Sequence, residues 1–188
     1  PPPVAVVERM LRYVRIAVVT LFMSVALYSQ CFNVEQLCSV LKIHRLKLTL
    51  ASKGVMACVT SPAGVKRVND ARPEAIRKNC EDSLRRLQTD VIDLYYLHRW
   101  DKQVPIEDSV GALADLVGAG KSKEIGRSEV SAQPVRRAHA VHPVAAVQSD
   151  YSWWRHDVGT DVVDCGTSLR VTMGAFSAEW HGLLAALP

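Results

Sequence analysis

The chain has 188 residues, 48% hydrophobic and 22% charged, with a formal net charge of +4; this is the make-up of an ordinary globular domain with one sizeable core. Its Lys and Arg residues are scattered rather than clustered, and pairs such as Arg85-Arg86 and Arg136-Arg137 fall on helix-like segments as solvated faces, so the basic stripe that nucleic-acid binders need is missing. Five cysteines, an odd number without C-x-x-C spacing, argue against a disulfide framework or a zinc site and point to a reducing, cytoplasmic setting. His139 and His142 are three apart without a supporting carboxylate or Cys, so a surface pair is expected there and no metal.

In chain order, Val7 to Val14 has helical character and Val18 to Met23 is a β-branched, apolar candidate strand. The wider stretch Ile16 to Tyr28 is apolar apart from Thr20 and Ser24 and follows Arg12 and Arg15, which also suits a signal-peptide core. It is too short for a span of about 20 residues, and a buried helix–strand unit with no membrane partner is the expectation. Asn33 can cap a helix carrying Leu37, Val40 and Leu41 on one face. Leu46 to Ala51 then reads as a strand with Lys53 just past its end, and Gly54 to Asp70, with Gly, Pro and polar residues, reads as a loop.

Pro73 stands where a first helical turn tolerates a missing N–H, and Ile76, Cys80, Leu84 and Leu87 follow on one face. Val91 to Leu97 is apolar on both alternating faces, as in a strand buried on both sides of a parallel sheet, and His98 ends it. Pro105 opens a helix with Ile106, Val110, Leu113 and Val117 in phase, closed by Gly120 as the C′ residue. Glu124 to Arg127 is a strand followed by Ser128-Glu129. Pro134 to Val141 is helical, Ala145 to Gln148 a strand, and Val158 to Leu169 a poor helix containing Gly159 and Gly166. Val171 to Phe176 is a last strand. Strand and helix alternate, so a parallel α/β sheet of about six strands is expected. It is either an open sheet or a barrel lacking pieces at both ends, since eight β/α units usually need about 250 residues. No glycine-rich phosphate loop follows any strand, which weakens a doubly wound nucleotide-binding fold.

Chemistry in parallel α/β folds gathers at the C-terminal strand ends. Those positions hold Tyr28 shortly after the first strand, Lys53, His98, Ser128 with Glu129, Gln148, and Phe176 with Ser177. A phenol, an amine and an imidazole at one rim can serve acid–base chemistry on a carbonyl: a Lys ammonium favours the phenolate and makes the Tyr a better acid, and an imidazole can polarise the carbonyl oxygen. Bland readings stand beside these: a core Tyr, a solvated Lys, a structural His and a Gln satisfying backbone.

The motifs Cys80-Glu-Asp-Ser-Leu-Arg-Arg-Leu87, Ile92-Asp-Leu-Tyr-Tyr-Leu-His-Arg99, Val104-Pro-Ile-Glu107, Gly120-Lys-Ser-Lys-Glu-Ile-Gly126 and Ala146-Val-Gln-Ser-Asp-Tyr-Ser152 together resemble the aldo-keto reductase family. The resemblance implies a (β/α)8 TIM barrel, here a single domain over residues 1–188 with its first and last units missing, that reduces aldehydes and ketones with NADPH. It implies Tyr28 as proton donor, Lys53 as the group lowering its pKa, and His98 as the carbonyl-orienting group. Ser128, Gln148 and Glu129 match positions that hold the carboxamide, Phe176 the aromatic stacked on the nicotinamide, and Ser177 the loop that follows. The partner implied is a small-molecule carbonyl substrate, and unpaired sheet edges would favour homo-oligomers.

The chain also departs from the family pattern. Met23 stands where the family has an Asp that pairs with the Lys. Ser29 and Gln30 replace the usual residues after the Tyr, Arg127 replaces an apolar strand residue, and Ala178-Glu179-Trp180-His181-Gly182 replaces the loop that approaches the cofactor diphosphate. These departures leave two expectations: a reductase with impaired turnover, or a non-catalytic NADP(H)-binding or regulatory member.

Overall fold

The computed structural model describes residues 21–25, 45, 48–61, 64–128, 131–150 and 160–176. Six strands form one fully parallel sheet, in the order β1 (Leu21–Val25), β2 (Thr49–Gly54), β5 (Ile92–Leu97), β6 (Ser122–Ser128), β7 (Val144–Asp150), β8 (Thr172–Phe176). Among the described residues four helices follow strands in turn: α1 (Pro73–Leu87), α2 (Ile106–Gly118), α3 (Ala132–Val141) and α4 (Thr160–Leu169). The expected count of six parallel strands is therefore borne out. The helices expected from Val7 and from Asn33 lie outside the described residues.

One expectation fails. The stretch from Gly54 to Asp70 is a β-hairpin, β3 (Met56–Ser61) pairing antiparallel with β4 (Gly64–Asn69). It leaves β2 through Val55, which is buried and holds a φ of 86°. That region is costly for a β-branched residue, about 1–3 kcal/mol. The Val55 carbonyl accepts a hydrogen bond from Asp70 N at 3.0 Å, which ties the base of the hairpin shut. Boundaries shift slightly elsewhere: Lys53 belongs to β2 itself.

The local chemistry of the helices is as the sequence suggests. Pro73 opens α1, and Gly120 stands at φ +70° with its N–H on Val117 O at 2.9 Å, closing α2. The helices cover one face of the sheet. There Leu50, Tyr95, Leu97, Ile125 and Val147 pack against Ile76, Cys80, Leu84, Ile106, Leu113 and Val135 in one continuous core. A smaller cluster of Ala51, Leu94, Tyr96 and Ala146 occupies the other face. Alternation along each strand separates the two sets.

The N-terminal end of the sheet is held by Asp93. Its carboxylate accepts from Arg45 Nη1 at 2.5 Å and from the backbone N–H of Leu50 at 2.8 Å, and pairs with Lys123 Nζ at 2.8 Å. Arg45 in turn donates to the carbonyls of Leu48 and Val91. Three parallel strands are thus tied through one carboxylate. Although burial opposes ionisation, the hydrogen bonds from Arg45, Lys123 and Leu50 hold this carboxyl at about 2. On the helix-facing side, Arg127 contradicts its surroundings. It lies between Leu97 and Val147 in register and is 1% exposed. Its Nη1 makes only a long 3.4 Å bond to Pro134 O, and its Nε is buried without a partner among the described residues. Burial pulls its pKa down to about 10.

Two stability predictions follow from these ends of the sheet. The Asp93 carboxyl is depressed in the folded state, so its contribution is full above the unfolded value of 3.8 and is lost as pH falls towards 2. Urea titrations from about pH 6 to about pH 2 should show an acid-dependent loss of about 2 kcal/mol that is absent in Asp93→Asn. Arg127→Leu removes a buried cation that has no anionic partner among the described residues and should raise stability by about 1–4 kcal/mol at neutral pH; a lower urea midpoint would contradict this account.

Candidate active site

The sequence places Lys53, His98, Ser128 and Gln148 at C-terminal strand ends, and the fold puts them on four successive strands. Lys53 is the penultimate residue of β2, His98 follows the last residue of β5, Ser128 ends β6, and Gln148 lies near the end of β7. Parallel register aligns them. Lys53 pairs with Tyr96, Tyr96 with Gly126, Ser128 with Gln148, and Gln148 with Gly174.

Lys53 is buried, with 7% exposure. Taking an ammonium out of water is tolerated only where polar groups and compensating charge or quadrupole surround it. Its Nζ donates to Ser128 Oγ at 3.0 Å and lies 5.6 Å from the centroid of the Tyr96 ring. Desolvation pushes the Tyr96 hydroxyl up to about 12, so this ring stays neutral near pH 7.

The tyrosine pair of β5 is seated by two glycines. A Cβ on Gly54 would fall 2.2 Å from the Tyr95 hydroxyl, and one on Gly126 would fall 2.5 Å from ring carbons of Tyr96. Each ring therefore leans over a neighbouring strand where no side chain stands. Tyr95 does so on the helix side and Tyr96 on the side of Lys53. Tyr96 was not among the residues expected at the site. The available signal was a glycine inside each flanking strand, which marks close approach.

Ser128 is buried and Gln148 half-buried beside it. The Gln148 Oε1 is itself buried and finds no hydrogen-bond partner among the described residues. Such an oxygen costs about 1–3 kcal/mol if it stays without a donor. His98 is half-buried at the mouth of a short connection to α2. That connection is fixed by Trp100 Nε1 donating to Val104 O at 2.9 Å and by the Gln103 N–H on the Asp101 carboxylate at 3.0 Å. Arg137 stacks on Trp100 at 5.9 Å and forks onto the Glu107 carboxylate with two 2.8 Å bonds. The histidine is thus carried on an anchored loop.

Tyr28, Glu129 and Ser177 lie outside the described residues. Of Phe176 and Met23 the backbone register is defined: Phe176 pairs with Asp150, and Met23 with Ala51, two positions before Lys53. No group of three or more His, Cys, Asp or Glu residues that could hold a metal occurs among the described residues. No helix among them is long and apolar enough to cross a membrane.

A parallel β/α sheet with polar groups gathered at its C-terminal strand ends is the arrangement of part of a (β/α)8 barrel. Residues 4–186 match the model of the Aldo/keto reductase family, and the chain belongs to that family. It is similar to the Glycine max protein named Probable aldo-keto reductase 1, 44% identical over 113 residues that make up 60% of this chain and 33% of that protein. Among solved structures it resembles a glycerol dehydrogenase of Gluconobacter oxydans (TM-score 0.82, 27% identity, 90% of this chain and 52% of that one). It also resembles an aldo/keto reductase of Klebsiella pneumoniae in complex with NADP and acetate (TM-score 0.70, 25% identity, 89% of this chain and 56% of that one). The chain spans about a third of the curated relative and little more than half of these structures.

Ser128→Ala removes one acceptor of the buried Lys53 ammonium. A loss of about 1–3 kcal/mol in urea denaturation is expected, and Ser128→Thr, which keeps the hydroxyl, should recover part of it.

Proposed function

We propose that this chain is the catalytic part of an NADPH-dependent reductase of aldehydes and ketones, acting in the cytoplasm, with residues 1–188 forming one barrel-type unit. The observation that carries this reading is the buried Lys53 ammonium on Ser128 Oγ, with the buried amide oxygen of Gln148 next to Ser128 in register. The Klebsiella relative bound to NADP adds support for the cofactor.

The residues present fit a nicotinamide. Gln148 Oε1 can accept from a carboxamide N–H, and Ser128 can donate to its oxygen, while Glu129, Phe176 and Ser177 would complete that side of the site. Bound NADPH would supply a hydride to the carbonyl carbon. In this reading Tyr28 gives the proton that the carbonyl oxygen gains. Lys53 is the cation that favours the Tyr28 phenolate and so makes the phenol a stronger acid. His98, held on its anchored loop, orients the oxygen by hydrogen bonding. Hydride to carbon and proton to oxygen together complete the alcohol.

A second reading is favoured by Met23, which stands where the family pattern has the lysine's carboxylate partner: a protein that binds NADP(H) and turns over slowly or not at all. One experiment separates the two. NADPH is titrated by its fluorescence, and reduction of a panel of aromatic aldehydes is followed at 340 nm, for the parent and for Met23→Asp. Binding with turnover that rises in Met23→Asp is expected. Binding without turnover in either protein establishes the second reading, and failure to bind NADPH overturns both.

A further inference from the structure

We propose that Tyr96 is a positioning residue for Lys53: its ring face, seated on Gly126, carries the ammonium across β5 to the Ser128 hydroxyl. This rests on the reading of Lys53 as a site residue, and it adds a component that the strand-end pattern does not contain. Lys53 is on β2 and Ser128 on β6, with β5 between them. Adjacent strands are about 4.8 Å apart, so the hydroxyl belongs to a strand about 10 Å away. A lysine can close that gap only by crossing β5, starting over the residue in its own row and running forward, since Ser128 is two residues beyond Gly126. That residue is Tyr96, paired with Lys53 on one side and with Gly126 on the other.

The contacts agree with this path. Nζ stands 5.6 Å from the ring centroid, inside the distance at which a cation is attracted to an aromatic face, and it reaches Ser128 Oγ at 3.0 Å. The ring can occupy its place because residue 126 has no Cβ, which would stand 2.5 Å from two ring carbons. The alternative is that Tyr96 merely fills space with Ala51, Leu94 and Ala146. Filling would need apolar volume. Positioning needs the quadrupole of an aromatic face, and the two demands differ under substitution.

The test uses the full chain labelled with [13Cε]lysine, with the Lys53 signal assigned by its loss in Lys53→Met. In the parent and in Tyr96→Phe, the Lys53 methylene should be shifted upfield by the ring current, with one common titration midpoint. In Tyr96→Leu the upfield shift should vanish and the midpoint should fall by about half a pH unit or more, since the buried cation loses a stabilising contact. Tyr96→Met, longer and more adaptable in shape and also without a π face, should give the same losses and replaces the leucine variant if that one does not melt cooperatively. A Leu or Met variant that melts like the parent and leaves the Lys53 shift and midpoint unchanged overturns the proposal. So does a Phe variant that loses both. None of these measurements uses NADPH or a substrate. A chain that shows the Lys53 response but neither binds NADPH nor reduces aldehydes therefore refutes the reductase reading alone. An active enzyme whose Lys53 ignores Tyr96 refutes the positioning role alone.

Discussion

A lysine ammonium withdrawn from water is the constraint around which this sheet is arranged. The cost of burying a charge is large unless donors, acceptors and favourable fields replace its hydration. Lys53 meets that demand with groups from two other strands, β5 and β6. Such a site exists only if three strands are parallel and in register, because a slip of one residue would turn Ser128 and Tyr96 to the opposite face. The strand pairing is therefore part of the site, and the fold cannot loosen locally without exposing or stranding the amine.

The opposite end of the same strands supplies the register. Asp93 binds β2 through the Leu50 N–H, β6 through Lys123, and Arg45, which precedes β2 in the chain. Its ionic contacts lie at the N-terminal strand ends, away from the C-terminal rim. The division is physically sensible. A carboxylate bound by two cations and a backbone N–H fixes position but has little proton affinity left for chemistry near neutral pH. At the rim, by contrast, the Gln148 amide oxygen is buried without a hydrogen-bond partner among the described residues.

Much of this was legible in the sequence, and the parts that were not have definite causes. The six parallel strands and the helices after them follow from apolar runs and helical periodicity. Lys53, His98, Ser128 and Gln148 follow from their places at strand ends. The hairpin of β3 and β4 was missed because Ser61-Pro62-Ala63-Gly64 lacks the Asn-Gly or Asp-Gly signature of a tight hairpin turn. Its register nevertheless closes Ser61 on Gly64. The role of Tyr96 was hidden because adjacent aromatic residues in a buried strand look equivalent. Only the fold shows that Tyr95 leans to Gly54 on the helix side and Tyr96 to Gly126 under the lysine. That Asp93 would serve as a clamp was likewise invisible, since Arg45 is 48 residues away in sequence.

The two clearest departures from the family pattern act on different properties. Arg127 belongs to the helix-facing layer, between Leu97 and Val147, on the face opposite Lys53 and Ser128. Its burial is a matter of stability: it places a poorly bonded cation where a hydrocarbon would pack. Met23 is two positions from the register partner of Lys53, on the strand beside the amine's own. An aromatic face and a hydroxyl compensate an ammonium more weakly than a carboxylate does, and without fixing a proton. The packing layer that holds Arg127 and the rim that holds Lys53 thus lie on opposite faces of one sheet.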